Sequence, residues 1–153
     1  MSVKWTVNDV ELYLKEKDYI DTAVIPLMPL SLSSGAKATA SVGEFVQLLT
    51  GELERQLKGR LFLLPPFTYF VTERHEERVR RLAEWTRELK ENGMKHVFYV
   101  ACDREWKEAE SKLEGTLFSL PMIPFYDMDE TYKQQVIHEQ ISQLLSAFIS
   151  QWT

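Results

Sequence analysis

One cysteine, Cys102, stands among 153 residues, so no intrachain disulfide can form. That fits a reducing compartment. Positive charge is not in excess: 18 Lys and Arg face 23 Asp and Glu, giving a net charge of −5 and a pI near 5.3. A general nucleic-acid binder needs a basic face to displace counterions from phosphates, and this balance weighs against one. The three histidines, His75, His96 and His138, are scattered and give no metal-ligand spacing. His75-Glu76 begins an H-E-x-x-H pattern, but Val79 stands where the second histidine would be.

Long apolar runs are missing too. The longest, Ala23–Leu30, is interrupted by Pro26 and Pro29, far short of the ~20 residues of a spanning helix. The stretch up to Asp18 has no apolar core of a signal peptide. Glycine is sparse, with neither G-x-x-x-x-G-K-[ST] nor G-x-G-x-x-G in the chain. The expectation is a soluble, cytoplasmic protein with no metal, no cofactor and no membrane insertion.

What is present is an alternation. Hydrophobic content of 44% and charged content of 27% suit one globular domain, residues 1–153, with a sizeable core. Four short apolar runs read as strands: Thr22–Leu27, Arg60–Leu64, His96–Ala101 and Thr116–Leu120. Pro26 cannot donate to a ladder, so regular pairing of the first strand is expected to end near Ile25. Helices are expected between them. The first runs from a cap at Asn8 to about Lys17. The second runs from a Ser41/Glu44 capping box to Lys58, with Phe45, Leu48, Leu49 and Leu53 inward. The third spans Glu73–Asn92, with Val79, Leu82, Trp85, Thr86 and Leu89 inward. Its six acidic and six basic residues cancel and read as a solvated face. A short helix over Arg104–Leu113 follows. A final one is capped by Asp127 or Asp129, with Ile137, Ile141, Leu144, Leu145, Phe148, Ile149 and Trp152 as its stripe.

Buried strands alternating with helices imply parallel pairing through right-handed crossovers. The expected fold is α/β: a small three-layer doubly wound sheet of about four mainly parallel strands, order 2-1-3-4, with a long C-terminal helix. Ligands bind such sheets beyond the carboxyl ends of the strands, where the order reverses. That points to Met28–Ala40 and Cys102–Glu105.

The first of these segments holds Ser33, Ser34, Gly35 and Lys37 ahead of a helix start, donors suited to a phosphate or carboxylate. Its other reading is an ordinary polar connection. The second holds Cys102, Asp103 and Arg104. A thiol near a helix N-terminus can be activated, or Cys102 can simply be buried. Position 108 is Glu, where a phosphatase-type loop would need arginine. Asp103 and Glu105 are the best-placed carboxylates for acid–base work, and Asp103 also suits a helix cap. No catalytic residue is assigned. Pro66–Thr72 is expected to be a loop, and its Phe67, Tyr69 and Phe70, with Phe125 and Tyr126, suit an apolar pocket or a partner contact.

Three segments carry a resemblance: WTVNDVELY (Trp5–Tyr13), YIDTAVIPL (Tyr19–Leu27) and LLPPFTY (Leu63–Tyr69). The chain resembles the YpiF-like family of uncharacterised bacterial proteins over nearly its full length. The family supplies no activity, so the resemblance implies no catalytic residues. The strand–helix–strand plan is also similar to the start of creatininase-type amidohydrolases. Those enzymes place metal-binding Glu, His and Asp residues after the first strand and a His after the third, and Met28–Ala40 and Cys102–Glu105 have no residues to match. The expected function is contact with another protein or a second copy of the chain, without catalysis. The alternative is binding of a small molecule or anion, or a degenerate hydrolase, using the loops after strands 1 and 3.

Overall fold

The central strand, β1, runs Thr22–Leu30, and every other strand pairs with it or with its neighbour. A computed structural model describes residues 3–121, 123 and 127–152. Phe125 and Tyr126 lie outside the described residues. In chain order the elements are α1 (Val7–Lys15), β1, α2 (Ala36–Gln56), β2 (Leu61–Leu63), β3 (Phe67–Phe70), α3 (His75–Glu91), β4 (His96–Ala101), α4 (Glu105–Ala109), β5 (Thr116–Ser119) and α5 (Glu130–Trp152). A 3-10 turn, Glu110–Lys112, follows α4. The sheet order is β2-β1-β4-β5, which is the expected 2-1-3-4, and all these pairs are parallel. A fifth strand, β3, pairs with β1 beyond the end of β2.

The sheet separates two layers. Ala23, Ile25, Leu27, Val97, Tyr99 and Ala101 face α3, α4 and the inner side of α1. Val24, Phe98 and Val100 face α2 and α5. Alternation along β1 and β4 thus feeds two cores from one sheet. No helix among the described residues is long and apolar enough to cross a membrane.

Pairing does not end at Ile25: β1 continues through both prolines to Leu30. The reason lies in backbone alternation. Thr22 N–H donates to Arg60 O, and Val24 O accepts from Leu64 N–H, so even-numbered residues of β1 face β2 and β3. Asp21 O accepts from Lys95 and His96 N–H, so odd-numbered residues face β4. Pro26 therefore lacks its donor in the gap where β2 has ended at Leu63 and β3 has not begun at Phe67. Pro29 lacks its donor on the β4 side, past the last β1–β4 pair, Pro26↔Val100. Neither position has a strand to donate to.

Other expectations are corrected. Phe67–Phe70 is a strand rather than part of a loop, with Phe67 and Tyr69 buried and Thr68 and Phe70 outward. The expected loop Met28–Ala40 shrinks to the few residues between Leu30 and Ala36. Ser41 and Glu44 do not start α2; Ser41 is buried inside it, and Gly35 holds the cap position. Thr6, not Asn8, caps α1, its Oγ1 accepting from Asp9 N–H at 3.2 Å. Leu48 and Ile149 point outward, and Val42, Val46 and Val136 take buried places instead. Asp129 Oδ1 accepts from Tyr132 N–H at 2.8 Å and caps α5. Gly93, at φ +100, closes α3, a conformation only glycine adopts without strain.

Gly115 is required for a different reason. A Cβ there would sit 2.5 Å from Val97 O and 2.6 Å from the Tyr99 ring. Gly115→Ala is expected to destabilise by about 1–3 kcal/mol through overpacking. The urea midpoint measures it, and an unchanged midpoint would contradict the close approach.

Candidate functional site

β1 feeds α2 on one face of the sheet, while its neighbour β4 feeds α4 on the other. Where adjacent parallel strands send their crossovers to opposite faces, a crevice opens at their carboxyl ends. The chain has a cleft of about 750 Å³ there. Pro29, Ala38, Thr39 and Val42 line it from the β1–α2 side, Val71 from behind β3, Cys102, Asp103, Arg104 and Lys107 from the β4–α4 side, and Ser119, Leu120 and Pro121 from the end of β5. Thus Cys102, Asp103 and Arg104 come together in the cleft. Ser33, Ser34, Gly35 and Lys37 are not among its lining residues. Ser33 is instead tied to Ser31, hydroxyl to hydroxyl at 3.0 Å.

Two cations face this space. Arg104 and Lys107, one helical turn apart, are both exposed. Among the described residues neither carries an ion pair, whereas Arg78, Arg80 and Arg81 are all paired. Thr39 spends its hydroxyl proton on Gly35 O and Ala36 O.

Cys102 is 5% exposed. Burial, reinforced by the neighbouring Asp103 carboxylate, pushes its thiol up to about 12. A thiol held neutral is a poor nucleophile, so the buried reading of Cys102 applies. The shift also sets a pH dependence. A raised folded-state pKa contributes stability that is fully present below the thiol's ordinary 9.0 and is lost as pH rises toward 12. Cys102→Ala is expected to flatten the loss of stability between about pH 9 and 11, where the thiol alone contributes ~1.4 kcal/mol per unit. Parallel urea-midpoint curves for the two proteins would contradict this.

Behind Asp103 lies a polar network that sequence reasoning missed. Trp106 Nε1–H donates to Tyr69 Oη at 3.0 Å, and Tyr69 O–H donates to Asp103 Oδ2 at 3.0 Å. Arg78, 3% exposed, donates to Glu105 Oε2 at 3.1 Å and to the carbonyls of Glu73 and Val71 at 2.7 and 3.3 Å. Its guanidinium lies 3.7 Å from Asp103 Oδ2 and over the Tyr69 ring. Burial raises the Tyr69 phenol well above its usual range, so it remains a donor. Asp103 Oδ1 accepts Glu105 N–H at 3.0 Å. His75 Nδ1 is 3.9 Å from Glu105 Oε2, too long for a hydrogen bond.

The missed residues had weak signals. Arg78 is one of six basic residues in the charge-balanced stretch Glu73–Asn92, so its burial could not be picked out. Tyr69 sat in a segment read as a loop. Lys107 had a signal in its spacing from Arg104, one turn along a short helix. Among the described residues no group of three or more His, Cys, Asp or Glu is placed to hold a metal.

Residues 11–152 match the protein family described as "Protein of unknown function (DUF2487)". The "Uncharacterized protein YpiF" of Bacillus subtilis (strain 168) is 38% identical over 151 residues, spanning 99% of this chain and 99% of its own. No solved structure matches the chain, and none of these matches carries the likeness to creatininase-type amidohydrolases.

Proposed function

The chain belongs to the DUF2487 family of proteins of unknown function, and on that footing we propose that it binds a small anionic molecule, without covalent chemistry, in the cleft beyond β1, β4 and β5. One observation supports this reading above the others: segments after β1 and β4 converge on one concave space, with Arg104 and Lys107 facing it unpaired among the described residues. Concave sites with a few convergent polar groups at a topological switch point are where small ligands bind. The neutral, buried Cys102 argues against thiol chemistry. A single cytoplasmic domain over residues 1–153, with no affinity for nucleic acid, goes with the reading.

A thermal-shift panel of inorganic phosphate, sulfate and small mono- and dicarboxylates tests it. A ligand present at 100 times its Kd adds ~2.7 kcal/mol of stability. At least one anion is expected to raise Tm in the wild type and not in the Arg104→Ala/Lys107→Ala double variant. Silence across the panel, or equal shifts in both proteins, would contradict the proposal.

A second reading, contact with another protein or a second copy, is favoured by a different place. An apolar groove of about 520 Å³ lies between the N-terminal segment with α1 and the side of α3 that carries Trp85 and Leu89. Trp5 and Leu14, 64% and 59% exposed, stand at it beside the half-buried Trp85. Large exposed apolar side chains gathered in one place mark interaction surfaces. On this reading, Trp5→Ser/Leu14→Ser would lower any concentration-dependent association seen by light scattering, and a wild type monomeric at all concentrations would count against self-association.

A further inference from the structure

The Asp103 carboxylate is held more firmly than a helix-start residue requires. Arg104, not the expected Asp103, holds the cap position of α4; Asp103, one residue earlier, needs only Oδ1 to close the turn, accepting Glu105 N–H at 3.0 Å. Yet Oδ2 is fixed as well, by Tyr69 O–H, which is itself fixed by Trp106 Nε1–H. Arg78 reaches across from α3 to place a buried positive charge 3.7 Å away. Buried polar groups are costly unless partnered, and the chain from Trp106 through Tyr69 ends on Asp103 Oδ2, which fixes that oxygen in place.

That carboxylate lines the cleft, and its side chain is 25% exposed. An ionised carboxylate offers about four acceptor positions, and the two protein donors within hydrogen-bond distance use two of them. Among the described residues, two acceptor positions are left without a protein donor within hydrogen-bond distance, on a side chain that lines the cleft. The same cleft presents Arg104 and Lys107. One wall therefore offers two cations and one fixed acceptor. A bare anion would use the cations and be repelled by Asp103.

We propose that the cleft selects small anions that also carry a hydroxyl or ammonium donor, and that Asp103 is the group that reads this donor. Tyr69 is a positioning residue acting through Asp103. The inference rests on the anion-binding reading above and names the ligand class within it.

Matched probes separate the two. Succinate and malate differ by one hydroxyl. Titration calorimetry on the full chain is expected to show malate binding at least about tenfold more tightly than succinate, the order of a hydrogen bond to a charged group. In Asp103→Asn the preference is expected to fall to within about twofold, with succinate binding as well as before or better because a repelling charge is gone. Tyr69→Phe, which leaves Asp103 in place but unpins Oδ2, is expected to reduce the preference, mainly by weakening malate binding. This variant carries the test if Asp103→Asn does not fold. Equal binding of succinate and malate by the wild type would overturn the inference and leave the anion cleft standing. Binding of neither would overturn the inference, and together with a silent phosphate and sulfate panel it would overturn the anion cleft as well. A malate preference that survives in Asp103→Asn, or in Tyr69→Phe should the first variant not fold, would overturn the role of Asp103.

Discussion

Arg78→Ala is expected to destabilise the protein by about 2–4 kcal/mol, chiefly through the backbone acceptors it leaves unmade, since its carboxylate partners Glu105 and Asp103 are partly exposed and screened. The guanidinium is almost fully buried and bonds Glu105 and two carbonyls, those of Val71 and Glu73. Val71 O and Glu73 O lie in the turn between β3 and α3. Alanine would leave these acceptors without their donor and the Asp103 carboxylate without its nearest positive charge. A buried polar group left unmade costs more than the bond itself contributes. The control is Arg80→Ala on the same helix. Arg80 is exposed and pairs with Glu77 and Glu84 at the surface, where such pairs contribute little. Chemical denaturation should show a large midpoint shift for Arg78→Ala and almost none for Arg80→Ala. Similar shifts for the two would mean that Arg78 is not a buried anchor.

Phe148→Ala is expected to cost about 3–5 kcal/mol, through the opposite face of the sheet. The Phe148 side chain is fully buried, with ring centroids 4.7 Å from Phe98 and 4.6 Å from Phe118. Phe98 and Phe118 themselves meet edge to face at 5.1 Å, so the three rings fasten α5 to β4 and β5. Truncating the central one removes ring–ring contacts and leaves a cavity that its neighbours cannot close without leaving their rotamers. The next residue gives the contrast: Ile149 is 49% exposed, and Ile149→Ala is expected to change stability by no more than about 0.5 kcal/mol. If the Phe148 variant unfolded at the same denaturant concentration as the wild type, α5 would not be part of the core.

Much of this architecture was legible because burial leaves a pattern. The run His96–Ala101 predicts a strand with the bounds it has, since it is short and rich in the β-branched and aromatic residues that suit a strand buried on both faces. The end of α3 near Asn92 is legible because Gly93 follows it, for a conformational reason that needs no partner. The sheet order followed from the alternation of elements. The failures have one physical origin, which is dependence on a neighbour invisible in the local sequence. Pro26 and Pro29 look like strand breakers until the gap between β2 and β3, and the end of the β1–β4 pairing, are known. Phe67–Phe70 is too short to reveal itself without β1 beside it. Ser41 and Glu44 have the spacing of a cap but lie inside a helix that Gly35 begins.

The candidate site divides the same way. That Cys102, Asp103 and Arg104 face a cleft followed from fold topology. That Tyr69, Arg78 and Trp106 converge behind Asp103 did not, because these residues come from three elements and meet only in the folded chain. The serine loop had the right composition for an anion site, and in the fold it falls outside the cleft-lining residues.

Amide chemical-shift mapping by NMR, with malate and inorganic phosphate as probes, tests the central claim most directly. The account predicts saturable shifts concentrated at Cys102–Lys107, Thr39 and Ser119, abolished in the Arg104→Ala/Lys107→Ala variant. Shifts that never saturate, or that centre on Trp5, Tyr13 and Trp85 in the apolar groove, would contradict it.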